Sequence, residues 1–423
     1  MLARSTVATN KFFSAILAAV LLLTTLAACG QQTSNGTSQN TKPIVIGASI
    51  PNSGDFSADG LPTKQGYQLW ANEINKRGGL LGHPVQLDLV SDNSTAPGTS
   101  VAYQKLINHD HVDLLMGPFA DDEAVAAAKI ANRSGYPMIV GSGTAPKVFT
   151  QGLTNLFSVS VPAKNLMNSF AEYILSLPAA QRPKTAAYLA QDDPYFHPQV
   201  EEAETLLEAG GIQTVLKLDT EGTYPAETTD YTPYVQKAIA AKADIVLMGT
   251  GTPDCIAFVK GFKQQHYNPK AMIFASGPDQ GNQFTQPIGG SKVAEALFVP
   301  NGGWFAGLAD TASYQNSQFK KDYIATYGGT ADDISSDTVQ AYSVGQVLEQ
   351  AIDKAGSIDN GKIMQVLRSN TFNSLQGAVK FKPDGENEVA VAFLFQWQKG
   401  QLIPVYPQNN AVANPVYPRP VWP

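Results

Sequence analysis

At 423 residues the chain is too long for one ordinary domain, and length alone points to two or three. Its 43% hydrophobic content is enough to build cores, while its 15% charged content is low for an intracellular enzyme. A formal net charge of −7, with no basic block, argues against nucleic acid as a partner.

Residues 1–28 read as an address and not as fold. Arg4 and Lys11 form a positive start, and Phe12 to Leu23 is an apolar run too short for a membrane span. Leu26-Ala27-Ala28-Cys29-Gly30 then resembles the bacterial lipobox, which implies cleavage before Cys29 and lipidation of its thiol. Two or more acyl chains would hold the protein on a membrane, facing the extracellular or periplasmic side, where one chain would not. The plainer reading is a secretory signal with a chance cysteine. If Cys29 is lipidated, Cys255 has no intrachain partner. Its place in a first helical turn would suit a lowered thiol pKa, but a packed, inert core cysteine is the expectation. Residues 29–42, rich in Gln, Ser, Asn and Thr, read as a flexible tether.

From Pro43 onward strand and helix patterns alternate. Ile44 to Ile50 is an apolar strand, and Tyr67, Trp70, Ala71 and Ile74 fall at helical spacing before Gly78-Gly79. Val85 to Val90, Asp113 to Met116 and Met138 to Val140 are strands, separated by helices over Pro97 to His109 and Asp121 to Arg133. A second series follows, with strands at Leu156 to Val161, Lys184 to Ala190, Gln213 to Leu218, Ile245 to Met248, Met272 to Ala275 and Ala296 to Val299. Helices are expected over Ala163 to Leu177, Pro198 to Ala209, Pro233 to Ala241, Tyr314 to Tyr327, Ser335 to Ala355 and Gly361 to Arg368. Two late strands, near Val379 and over Val389 to Trp397, precede a Pro-rich tail expected to strap the surface irregularly. This alternation predicts an α/β protein with parallel sheets covered by helices on both faces.

One design occurs twice. The strand Met138 to Val140 ends in Gly141-Ser142-Gly143-Thr144, and the strand Ile245 to Met248 ends in Gly249-Thr250-Gly251-Thr252. Ligands of open α/β sheets sit at the carboxyl ends of strands, so two such turns would form two walls of a cleft. Nucleotide motifs fail: there is no P-loop spacing, and Gly141-x-Gly143 lacks the third glycine of a dinucleotide fingerprint. The five histidines form no metal-ligand pattern, and Ser142 lacks the neighbours that would make it a nucleophile. No cofactor, metal or catalytic residue is therefore expected. Asp121 and Asp122 open a helix, where capping favours acids. What remains is a binding constellation of Ser53, Asp121, Ser142, Gly143, Thr144, Tyr195, Thr250 and Asp279. These hydroxyls, bare amides, aromatics and acids suit a small polar ligand.

The chain resembles the type I periplasmic solute-binding proteins of ABC importers, of the branched-chain amino acid-binding (Leu/Ile/Val) class. Stretches that carry the resemblance include Ile44 to Gly54, Asn72 to Gly82, Asp113 to Pro118, Pro137 to Pro146, Gly277-Pro278-Asp279, Ala351 to Gly356 and Gln376 to Phe381. It implies two doubly wound Rossmann-like lobes joined by three crossings, placed near Ser160, Pro300 and Gly377, with a ligand cleft between them. Lobe 1 would hold 43–160 and 301–376, lobe 2 would hold 161–300 and 377–407, and 408–423 would be the tail. It also implies a monomeric binder that closes by hinge motion and docks on a membrane permease with its cytoplasmic ATPase. By the same resemblance, Ser142 and Thr144 would hold an amino acid's carboxylate and amine, Tyr195 would cover the ligand from lobe 2, and Asp279 would pair with the ligand ammonium. Asp121 departs from the family's usual serine, and a carboxylate there would repel a ligand carboxylate. The leading expectation is thus an amino acid-like or amide-type solute, neutral or cationic. The alternatives are a ligand-sensing receptor subunit and, less favoured, an extracellular hydrolase.

Overall fold

The computed structural model describes residues 41–311 and 315–423. The expectations for residues 1–28, for Cys29 and for nearly all of the tether lie outside the described residues. Three strands, β1 (Ile44–Ile50), β2 (Val85–Ser91) and β3 (Leu114–Leu115), form a parallel sheet in the order β2-β1-β3. Two more, β4 (Met138–Val140) and β5 (Leu156–Ser158), pair in parallel and extend it, since the Gly117 amide donates to the Ile139 carbonyl at 2.8 Å.

The second sheet has eight strands: β6 (Thr185–Gln191), β7 (Gln213–Leu216), β8 (Thr223–Tyr224), β9 (Ile245–Gly249), β10 (Ala271–Phe274), β11 (Leu297–Asn301), then β14 (Phe393–Gln398) and β15 (Gln401–Tyr406) after a separate hairpin of β12 (Thr371–Ser374) and β13 (Gly377–Lys380). Its order is β15-β14-β11-β10-β9-β6-β7, with β8 beside β6, and its last two strands are antiparallel. Its central strands β9 and β10 are buried at every residue, which is why they read as unbroken apolar runs. β15 is not legible in the sequence because Pro404 interrupts it; at the sheet's edge a proline costs no ladder bond.

Each sheet has its own core. Ile46, Trp70, Phe157, Val344, Phe372, Val379 and Phe381 pack together in the first lobe. In the second, Met248, Phe258, Phe274 and Trp397 fill one face of the sheet, and Phe170, Tyr188 and Phe298 fill the other. The first lobe depends on a close helix pair, Ser57–Lys76 against Ser336–Ala355. Glycine is required at two points of that contact. A Cβ on Gly66 would lie 2.3 Å from the Thr338 carbonyl, and one on Gly345 would lie 2.3 Å from the ring of Trp70, itself fully buried. The approach brings the amino ends of both helices to the carboxyl ends of the strands.

The crossing expected at Gly377 lies further on. Gly377 turns the β12–β13 hairpin, whose Phe372 and Val379 belong to the first core together with Phe381 just beyond it. The chain stays in that lobe through residue 387, where Asn387 Nδ2 donates to the Val159 carbonyl at 2.9 Å. It crosses just before β14, where Ala390 and Ala392 pack with Val161 and Leu166 from the first crossing. The tail, 408–423, has no strand and lies on the second lobe. The Val416 amide donates to Gln396 Oε1 (2.8 Å), the Trp422 indole donates to the Tyr267 carbonyl (2.6 Å), and the Arg419 guanidinium stacks 3.8 Å over the Trp422 ring. Among the described residues, no helix is long and apolar enough to cross a membrane.

Glu386, 2% exposed, joins the first crossing to the hairpin: its carboxylate takes the ammonium groups of Lys164 and Lys382, both at 2.8 Å. Burial alone would raise its pKa, yet the two lysines outweigh burial and hold it below the ordinary value. The stabilisation is therefore present above the unfolded value of about 4.3 and is lost as pH falls through the lower folded pKa. Glu386→Ala should cost roughly 3 kcal/mol in urea unfolding at pH 7, the low end for breaking a buried pair, because both lysines still reach water. The difference from wild type should shrink below pH 4. A pH-independent difference would refute the ionic account.

Candidate functional site

Loops at the strand ends meet in a cavity of about 740 Å³ between the lobes. The loop after β1 supplies Phe56, whose ring lies edge-on to Phe119 from the loop after β3, with centroids 5.6 Å apart. Ser94, from the loop after β2, is held by the Ser53 carbonyl (2.7 Å) and accepts from the Phe56 amide (3.1 Å). From the second lobe come Asp193, Pro194 and Tyr195. The helix Ser336–Ala355 closes another wall with Ser336, Asp337 and Gln340.

The turn after β4 is built by its neighbour after β3. The Ala120 amide donates to Ser142 Oγ at 2.6 Å, and Asp121 Oδ1 accepts from the Thr144 and Ala145 amides at 2.8 and 3.2 Å. Gly143 takes φ +90°, and a Cβ there would lie 2.8 Å from that of Ala124. Ala120 itself sits at φ 74°, ψ 168°, a region nearly closed to L residues, so the strain falls at the cavity wall. Burial raises the Asp121 pKa; the two amides and Lys147 act against burial and do not overcome it.

The cavity thus gathers Asp121, Ser142, Gly143, Thr144 and Tyr195 of the expected residues and leaves out Ser53, Thr250 and Asp279. Ser53 is exposed and donates to Asn93 Oδ1 (2.9 Å). Thr250 is fully buried with its hydroxyl on the Ser276 carbonyl (3.1 Å), and no residue of the second Gly-x-Gly-Thr turn lines the cavity. Asp279 spends Oδ1 on the Gly277 amide (2.8 Å), shaping its own turn. Its charge still reaches Tyr195: that phenol is pushed above the ordinary tyrosine range first by burial, then by Asp279, Asp121, Asp337 and Asp193. Tyr195 is 38% exposed, and this face opens into the cleft while protein surrounds it at longer range.

Sequence reasoning missed Asp337, Gln340, Phe56 and Lys147. Ser335-Ser336-Asp337 reads as an ordinary helix cap, and Ser335 Oγ does accept from the Asp337 amide (3.1 Å). Lys147 pairs with Asp122 at 2.9 Å. Among the described residues lining the cavity, it is the one cation, facing the carboxylates of Asp121, Asp122, Glu123, Asp193 and Asp337. Cys255 is buried, with its thiol pushed well above its ordinary value by burial. Trp304 is buried away from the cavity, with its indole on Asn316 Oδ1 (2.8 Å). Among the described residues no group of acids, histidines and cysteines has metal-site geometry.

Two α/β lobes, three crossings and a polar cavity at the strand ends define a protein of the two-lobed binding class. The sequence profile of the periplasmic binding protein family matches residues 43–401, and the chain belongs to that family. It is 26% identical over 392 residues to the Leu/Ile/Val-binding protein homolog 7 of Brucella suis, covering 89% of this chain and 95% of that protein. Among solved structures it superposes with TM-score 0.77 (19% identity, 89% of this chain and 99% of the other) on a putative branched-chain amino acid ABC transporter from Silicibacter pomeroyi. It superposes with TM-score 0.63 (19% identity, 89% and 98%) on a solute binding protein of an ABC transporter from R. palustris in complex with benzoate.

Asp121→Ala would leave the Thr144 and Ala145 amides without their acceptor and should cost about 1–3 kcal/mol in chemical denaturation. Asp121→Asn, whose amide oxygen still accepts, should lose less than half of that. Equal losses would show that charge, and not acceptance of the two amides, holds the turn.

Proposed function

We propose that this is the extracytoplasmic, lipid-anchored substrate-binding protein of an ABC importer, which captures a small amino acid-like or amide-type solute, neutral or cationic, and delivers it to a membrane permease. The observation that carries the ligand class is the polarity of the cavity. Five carboxylates and one ammonium line it, and the amides that would grip an anion are already bonded to Asp121 and Asp193. An anion would have to displace a carboxylate from its amides; a ligand bearing N–H donors meets free acceptor oxygens. Phe56, Phe119 and Tyr195 supply flat walls, and an ammonium beside such rings gains a further cation–π attraction. The Leu/Ile/Val-binding protein homolog among the relatives supports the amino acid-like part of the reading. Binding without chemistry accords with a family of binding proteins and with a site built from acceptors and aromatic walls.

A ligand that binds only the folded state should raise the melting temperature, by about 2.7 kcal/mol of stability at 100 times its Kd. In a thermal-shift panel, neutral and cationic amino acids, amides and amines should score, and benzoate-like anions should not. A hit confined to anions would refute the assignment. Tyr195→Ala should weaken the best ligand at least tenfold in calorimetry, while His109→Ala, whose side chain is 82% exposed, should leave it unchanged; equal effects would remove Tyr195 from the site.

A further inference from the structure

The cavity has a second acidic wall, to which the solute-binding reading gives no separate role. Asp337 lies in the first turn of the helix Ser336–Ala355, and Asp59 lies in the first turn of the helix Ser57–Lys76. The Gly66 and Gly345 contacts bring these helix ends together, so that the charge of Asp59 is felt by the Asp337 carboxyl. Asp337 faces the cavity together with Gln340 from its own helix. The groups facing it are few: Asp59 from the first helix, the Ser335 hydroxyl from its own cap, and Tyr195 from the opposite lobe, whose phenol feels its charge. No cation faces it among these, and Lys147 is engaged by Asp122.

We infer that Asp337 is a specificity-determining residue of the cleft, taking a second hydrogen-bond donor from the ligand on a wall different from that of Asp121, so that the cleft prefers solutes with cationic or N–H donor groups at both ends over those with one. The inference rests on the reading of the cavity as a solute site and narrows it. Burial and the charge of Asp59 push the Asp337 carboxyl up to about 6, so below that pH it holds a proton and offers no full charge. An ammonium that docks there needs the carboxylate, so on binding below that pH the proton leaves to solvent. Affinity for a doubly cationic ligand should therefore rise as pH rises through about 6, whereas a singly cationic ligand held elsewhere in the cleft should not show that step.

Calorimetry on the folded chain tests this with 1,4-diaminobutane, L-lysine, n-butylamine and L-leucine at pH 5 and pH 7.5. The two difunctional probes should bind at least tenfold tighter at pH 7.5 than at pH 5. Asp337→Asn should weaken them at least tenfold at pH 7.5, abolish the pH step and change the monofunctional probes less than threefold. Asp59→Asn removes the neighbouring charge, so the step should persist at lower pH, a shift that a merely structural role would not produce. Binding of L-leucine or n-butylamine as tight as that of the difunctional probes, or difunctional binding unchanged by Asp337→Asn, would overturn this inference and leave the solute-binding reading standing. Absence of binding by every probe and by the wider panel would overturn both.

Discussion

Every amide at the end of a strand must find an acceptor, and in this protein much of the cleft follows from which acceptor is used. Thr144 and Ala145 donate to Asp121, Tyr195 and Phe196 donate to Asp193, and Gly277 donates to Asp279. Turns and helix starts at strand ends are ready-made anion sites when their amides point into a cavity. Here the chain supplies its own anions. The carboxylates of Asp121 and Asp193 order their turns through one oxygen each and leave the second as an acceptor, so the same bonds that fold the rim reverse its polarity. A carboxylate can serve both ends because it has two oxygens; a serine hydroxyl at the position of Asp121 could donate to a ligand but could not accept two amides and still present a charge.

A second constraint acts from behind the cleft. The fit of Trp70 against Gly345, and of Gly66 against the Thr338 carbonyl, sets how closely two long helices approach. Their first turns carry Asp59 and Asp337, so packing in the core decides that two carboxyls meet at the rim. The cost is carried locally: burial raises both carboxyls, and Ala120 holds a backbone conformation that L residues avoid. Strain and shifted acids gather at the strand ends, while the strands beneath are apolar and ordinary.

That division explains what could be read in advance. Strands β1, β4 and β9 and the helix Asp121–Arg133 are legible because apolar runs, helical spacing and acidic first turns each report a local preference that the fold obeys. The first glycine-rich turn is legible as cavity wall, but its echo cannot be told apart from it. A Gly-x-Gly-Thr pattern says nothing about cover, and Phe196, which packs over Gly249 and Gly251, comes from a loop more than fifty residues earlier. Asp337 is hidden for the complementary reason: a Ser-Ser-Asp start is fully explained by capping, and only the distant Asp59 gives it a second meaning. The crossing near residue 390 escapes a reading that puts the break at a glycine, because Gly377 turns a hairpin and the alternating apolar residues after it belong to the first core.

Two of the three crossings differ in kind from the lobes they join. Each lobe is held by large apolar clusters, which resist graded deformation because close-packed side chains lose contact abruptly. The first and third crossings share one small cluster, Val161, Leu166, Ala390 and Ala392, together with polar contacts, whereas Val299, Trp304 and Leu308 at the second pack in a larger apolar cluster with Leu69, Val339, Phe393 and Phe395. Ser160 Oγ lies within hydrogen-bond distance of both the Gly141 carbonyl (2.5 Å) and Gln376 Oε1 (3.1 Å), and Glu386 bridges Lys164 and Lys382. These polar contacts are directional, and the two lysines reach water, so breaking them costs less than opening an apolar cluster. They also tie the first crossing to Gly141, the residue that begins the turn held by Asp121. The polar contacts of the first crossing thus end on the same turn that forms the cavity wall.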